Sequence, residues 1–266
     1  MARLLIVIAL VTGLAAPAAA ELKVQDVKAR HGPHGPERAT LDVFPGDELV
    51  LTYTLTGMQT DTDGKVDCEL RQTITAPDGK VLVDNKTPIK EALAFGGGHL
   101  PGFAAASFGV NTRPGKYVVG VTITDKLRDE TVSFERTANV LKPDLAIVRP
   151  RLSYDPEGKT GAGLTNVLGT RLFFRLVAVG FDRSQKKIDL TMTVQHYDEK
   201  GKELMPKPLT VKTKSDDEEE VAKADSATFN GSFACNRPGT FKMKIVITDN
   251  VTNKSATFEA PLKVVE

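Results

Sequence analysis

Arg113-Pro114-Gly115-Lys116-Tyr117-Val118-Val119-Gly120-Val121-Thr122-Ile123-Thr124-Asp125 has a counterpart of the same pattern later in this chain. The counterpart reads Arg237-Pro238-Gly239-Thr240-Phe241-Lys242-Met243-Lys244-Ile245-Val246-Ile247-Thr248-Asp249. In the first, Tyr117, Val119, Val121 and Ile123 alternate with Lys116, Val118, Gly120 and Thr122. In the second, Phe241, Met243, Ile245 and Ile247 keep the same beat. Successive side chains leave a strand on opposite sides, so a period of two with one apolar face predicts a half-buried antiparallel strand. The Pro-Gly ahead of each run supplies a turn.

The match extends over nearly the whole chain. Leu22–Met58 aligns without gaps on Leu145–Phe181, with Pro33 on Pro156, Gly35 on Gly158, Leu41 on Leu164, Gly46 on Gly169 and Gly57 on Gly180. Lys65-Val66-Asp67 falls on Lys187-Ile188-Asp189, Asp125 on Asp249 and Phe134 on Phe258. Self-similarity at a fixed offset sets the domain count before any element is assigned. It predicts two domains, 21–143 and 144–266, each near the commonest domain size of about 100–150 residues. Lys142-Pro143-Asp144 marks the seam and is too short for a flexible linker. Leu49, Leu51, Tyr53 and Leu55 alternate in the first copy, as Leu172, Phe174 and Leu176 do in the second. Pro77-Asp78-Gly79 and Glu199-Lys200-Gly201 read as turns. Many short strands between such turns predict an all-β chain of two tandem immunoglobulin-like antiparallel β-sandwich domains.

The closing segments of both copies resemble the final hairpin of PKD and other immunoglobulin-like bacterial modules. The resemblance rests on Pro114-Gly115-Lys116-Tyr117 through Asp125 and on Pro238-Gly239-Thr240-Phe241 through Asp249. It implies that the aromatic starts a core strand and that the aspartate opens the next turn. It implies a fold, and a fold alone does not give a function.

At the other end, Arg3, the apolar run Leu4–Val11 and Ala18-Ala19-Ala20 have the order of a secretory leader cleaved before Glu21. The run is shorter than the roughly 20 residues a membrane span needs. No later stretch is long and apolar enough, and no cysteine follows closely as a lipid anchor. The expected location is the periplasm or the extracellular space. Loss of Arg3 with the leader leaves 34 basic residues of 35, against 34 acidic. A neutral chain is a poor match for nucleic acid or an anionic membrane surface, both of which select dense positive charge.

Several local patterns suggest chemistry. Asp61-Thr62-Asp63-Gly64 with Asp67 is the calcium candidate, although an EF-hand needs more oxygens and a distal Glu. The second copy carries Ser184-Gln185-Lys186-Lys187 there, which favours a polar turn. His31 and His34 flank a Pro-Gly framework that the other copy keeps as Tyr154-Asp155-Pro156-Glu157-Gly158. Two imidazoles alone underfill a zinc site, so a solvated loop is expected. Gly96-Gly97-Gly98-His99 lacks the Lys and Ser/Thr of a phosphate loop and reads as a flexible surface loop. The run Asp216–Glu220 reads as a solvated loop face. Cys68 matches Leu190 on an apolar face, Cys235 falls beside Val110, and His196 matches Ile74 at a strand end. Each copy has one cysteine, so neither closes its own disulfide.

Sugar-binding sandwiches present exposed aromatic platforms. This chain has no Trp, and Tyr53 and Tyr117 belong to core faces, leaving Tyr154 and Tyr197. No nucleophile, base and orienter fall together, and no cofactor is expected. The leading expectation is an exported, non-enzymatic structural or protein-interaction module whose partner is another envelope or extracellular protein. The alternative is an accessory protein binding carbohydrate or calcium through Asp61, Asp63 and Asp67 or the loops 93–103 and 210–225.

Overall fold

The two alternating runs are strands, Gly115–Asp125 and Gly239–Asp249. The computed structural model describes residues 21–266, and the leader expected over residues 1–20 lies outside the described residues. The first half contains β1 (Lys23–Arg30), β2 (Asp42–Val43), β3 (Glu48–Thr56), β4 (Lys65–Thr75), β5 (Val81–Ala92), β6 (His99–Ser107), β7 (Gly115–Asp125) and β8 (Glu130–Val140). The second half contains β9 (Ala146–Ser153), β10 (Thr165–Val167), β11 (Arg171–Val179), β12 (Ile188–Asp198), β13 (Leu209–Ser215), α1 (Glu218–Lys223), β14 (Ser226–Ala234), β15 (Gly239–Asp249) and β16 (Lys254–Val265).

The protein is all-β, and its sheets form sandwiches. In the first half, β1-β3-β6 faces β2-β8-β7-β4-β5. In the second, β9-β11-β14 faces β10-β16-β15-β12-β13. No sheet takes strands from both sides of Pro143, and adding eight to each strand number of the first pair of sheets gives the second. The pairing is antiparallel except at two edges, where β2 runs parallel to β8 and β10 to β16. There the chain crosses from one sheet to the rim of the other, running alongside the last strand.

Each sandwich closes over its own apolar side chains. Leu49, Leu51, Val119 and Ile123 are buried in the first; Leu172, Leu190, Ile245 and Ile247 are buried in the second. Full burial of such a side chain stabilises by roughly 1.5–3 kcal/mol before chain entropy is counted. Two core pairs exchange size between the halves. Tyr53 lies opposite Gly102, and a Cβ there would sit 2.5 Å from the tyrosine ring. The second half places Leu176 against Phe229 at that point, and one pair along sets Phe174 against Gly231 where the first half has Leu51 and Ala104. Ring and gap move together, as close packing requires.

The aspartates ending β7 and β15 do matching work. Asp125 accepts the N–H of Gln59 at 2.8 Å and of Leu127 at 3.0 Å. Asp249 accepts those of Asp182 and Val251, both at 2.9 Å. Both carboxylates are buried, and each ties a hairpin turn to the exit of the strand on the facing sheet.

The halves meet over a small mixed contact. Phe44 and Val110 pack with Ala146, Val148 and Val179. Gly46, at φ +95°, leaves no room for a side chain: a Cβ would fall 2.9 Å from a Val179 methyl. Beside them Arg38 and Asp47 pair at 2.8 Å with side chains 6% and 4% exposed. Asp47 also accepts the N–H of Arg149 at 3.2 Å, and Arg151 reaches Glu48 at 2.7 Å.

Three expectations change. Residues 99–107 are strand β6, so only 93–98 remain as the connecting turn. Likewise 209–215 is strand β13. The acidic run is a short helix rather than a loop: Asp217 caps it by accepting the N–H of Glu220 at 2.8 Å, and Val221 is buried in the core. Acidic residues in a first turn suit the helix dipole.

Candidate functional site

The residues singled out in the sequence do not converge. Asp61 folds its own turn, accepting the N–H groups of Asp63 and Lys65 at 2.9 Å each. Asp63 pairs with Lys65, and Asp67 sits up the strand on β4, paired with Lys90 at 3.2 Å. Among the described residues no group of three or more His, Cys, Asp or Glu side chains is placed to hold a metal ion. The turn 93–98 is exposed, with Phe95 fully in solvent. Tyr154 donates to Asn166 at 3.1 Å, while Lys242 lies over the Tyr197 ring.

His31 is not a solvated loop residue. Its ring meets Phe258 of the second half edge-on at 5.2 Å, and burial, with Arg38 nearby, pushes its pKa down to about 3. Gly35 is required beside it, because a Cβ there would lie 1.7 Å from the His31 carbonyl oxygen. His34 stays exposed, against Gly161. Phe258 is 227 positions downstream of His31, so no local pattern could show the contact.

The cavity that matters chemically lies at the far end of the second half, with a volume of about 520 Å³. It becomes legible by comparison with the same place in the first half, a closed apolar cluster containing Val43, Ile74 and Phe108. Strand pairing gives the counterparts. Val43 lies opposite Val140 as Asn166 lies opposite Val264, and Ile74 opposite Val119 as His196 opposite Met243. Gly46 donates to the Phe108 carbonyl as Gly169 does to that of Cys235, and Phe108 donates to Asp47 as Cys235 does to Thr170. Cys235 therefore replaces Phe108, not a residue beside Val110. The connection after β6 spans 108–114, whereas that after β14 spans only 235–238. An ungapped alignment through the Arg-Pro-Gly turn slides past the correct pairing.

Three apolar core positions have thus become Asn166, His196 and Cys235, all lining one cavity. Phe233 and Leu262 take the places of Ala106 and Ala138 and fill its inner side. Its outer wall is built by the connection 199–208, ten residues against five at 76–80, which supplies Leu204 and Met205. Arg237, stacked over Phe241 at 5.3 Å, and Lys263 stand at the mouth.

The arrangement holds a cysteine, a histidine and an asparagine, so nucleophilic catalysis is the chemistry to weigh. An activated pair needs the thiol pushed down and the imidazole protonated. Here burial pushes the Cys235 thiol up and the His196 imidazole down, so both sit neutral. Asn166 bonds Gly163 and Tyr154. The His196 Nε2 is buried without a hydrogen-bond partner among the described residues, and the ring is edge-on to Phe233 at 4.8 Å. The arrangement is a largely apolar chamber with Arg237 and Lys263 beside it.

A second surface is a strand edge. Of the long strands at sheet rims, β1, β5, β9 and β13 carry charged residues, with Pro88 in β5 and Pro150 in β9, and β6 carries Pro101. Lysine and proline are how exposed edges are kept from pairing. Strand β14, Ser-Ala-Thr-Phe-Asn-Gly-Ser-Phe-Ala, has neither charge nor proline, and among the described residues only β11 pairs with it.

No protein-family model matches the chain, and no curated protein does. Among solved structures, red sea bream transglutaminase is 7% identical over 94% of this chain and 32% of its own, with a TM-score of 0.30. Dimeric latent PorU from Porphyromonas gingivalis is 12% identical over 93% of this chain and 20% of its own, with a TM-score of 0.40. The chain spans about a third or less of either protein. Likeness at this level says nothing about activity.

Proposed function

We propose that this chain is an exported, non-enzymatic protein-interaction module of the periplasm or cell surface, built as a tandem duplication of an immunoglobulin-like sandwich. The observation that carries the interaction reading is the unguarded edge of β14. An extended segment of a partner can add there as a further strand, its main chain bonding to the free N–H and C=O groups. The contact between the halves supports a rigid presenting unit, since Gly46, the Arg38–Asp47 pair and the Phe44 cluster together oppose swing.

The test is capture of partners on full-length mature protein, comparing wild type with Thr228→Lys/Asn230→Lys. Both positions are exposed on β14, so the lysines add edge charge without entering the core. Wild type should retain an envelope or extracellular protein that the double variant loses, with weak dependence on salt because the chain is nearly neutral. Equal capture by both proteins refutes the edge-strand reading.

A further inference from the structure

We infer that the cavity at the end of the second half is a binding site for a small amphipathic anion, an apolar body carrying one carboxylate or sulfonate. The cavity wall takes in Phe233 and Ala234 at the end of β14, away from the edge positions Thr228 and Asn230.

The chamber is of ligand size, within the roughly 300–1,000 Å³ typical of small-molecule sites. Its inner surface is apolar, with Leu172, Phe233, Leu262 and Val264 among its walls. The polar features are few and placed. Arg237 and Lys263 stand at the mouth, both exposed, and neither forms an ion pair with a carboxylate among the described residues. No acidic side chain lines the cavity. An apolar interior with two cations at its entrance, neither held in an ion pair, selects an apolar tail behind an anionic head.

A third sandwich docking there is the obvious rival, because the same end of the first half is covered by the second half. The anchors are not kept. Phe44, Asp47 and Glu48 become Val167, Thr170 and Arg171, so the acceptors of the Arg149 N–H and of Arg151 are gone. A second copy of the chain would present Lys23, Gln25 and Thr56 where the junction uses Ala146, Val148 and Val179. That surface is polar and cannot repeat the apolar cluster.

The experiment titrates mature protein with decanoate and, as a neutral control of the same tail, 1-decanol, by calorimetry. Wild type should bind decanoate at one site and bind it more tightly than the alcohol. Cys235→Phe restores the ring that Phe108 supplies in the first half and should weaken both ligands by about tenfold or more by filling the chamber. Arg237→Gln/Lys263→Gln should weaken decanoate by about tenfold and leave decanol unchanged. In case the Cys235→Phe protein folds poorly, alkylation of wild type by iodoacetamide gives a second reading: decanoate should slow modification of Cys235 and leave Cys68 unaffected. No decanoate binding, equal affinity for acid and alcohol, binding that survives Cys235→Phe in a folded protein, or no protection of Cys235 would each overturn the inference.

Discussion

Replacing Asp47 by alanine should destabilise the protein more than any other single change of charge, because its carboxylate serves both halves. One oxygen pairs with Arg38 at 2.8 Å; the other accepts the N–H of Glu48 at 2.8 Å and of Arg149 at 3.2 Å. With both side chains at most 6% exposed, solvent does little to screen the pair. Removing one partner of a buried pair costs about 3–5 kcal/mol, chiefly from the stranded charge. Arg38 would keep carbonyl acceptors on Glu48 at 2.9 Å and Arg30 at 3.3 Å, which favours the lower end. The orphaned backbone N–H groups add about 1–3 kcal/mol. Urea unfolding at pH 7 should therefore show a loss of about 4–6 kcal/mol for Asp47→Ala. Asp47→Asn, which keeps an acceptor oxygen, should lose about half as much. The double replacement Arg38→Met/Asp47→Leu should recover most of the loss, as apolar replacements of buried pairs do. Amide exchange at Arg149 should accelerate in Asp47→Ala, since that N–H belongs to the other half. A loss below about 1 kcal/mol, with Arg149 still protected, would refute the view that the pair couples the halves.

Residues 21–143 and 144–266, expressed separately, should each unfold cooperatively by circular dichroism and urea; a fragment without a transition would mean that the halves share a core. Intact-mass measurement of exported material should give a chain beginning at Glu21, and retention of Met1–Ala20 would defeat the export reading. His31 is neutral when folded down to about pH 3 but protonates near the ordinary histidine value of 6.5 when unfolded. The unfolded state then binds the extra proton, so the His31 contribution to stability falls as pH drops from about 6.5 towards 3. His196, lowered by burial, acts in the same direction. His31→Gln should have a shallower pH dependence over that window by urea unfolding, and an unchanged slope would show that the imidazole is hydrated in the folded protein.

What was legible in the sequence was whatever the chain states twice. Gly57 and Gly180, Asp125 and Asp249, and the two Pro-Gly turns recur because each copy meets the same backbone demand. Gly57 and Gly180 adopt φ +75° and +69°, and Asp129 and Asn253 share the left-handed region in equivalent hairpins. Strand alternation was equally readable, since β7 and β15 each bury one face. The burial of His31 was hidden for the opposite reason. Its environment is made by Arg38 and by Phe258 from the other half, and neither copy alone contains that contact.

The cavity was hidden by the repeat itself. Duplication makes matching residues conspicuous, and Asn166, His196 and Cys235 are mismatches scattered over β10, β12 and the connection after β14. The offset between copies is 124 at the start of β7 and β15 but 127 at the start of β6 and β14, the shift made up in the shorter connection that follows. Only the ladder hydrogen bonds decide that Cys235 stands where Phe108 stood. Once they do, the three substitutions share one physical sense. Each puts a polar atom where its counterpart has only carbon, and a core position accepts that cost only where the atom is satisfied or the chamber is open to something that satisfies it. Asn166 finds partners in Tyr154 and Gly163. His196 Nε2 finds none among the described residues, and the chamber that the three substitutions line, with Arg237 and Lys263 beside it, is what distinguishes the distal end of the second half from the packed apolar end of the first.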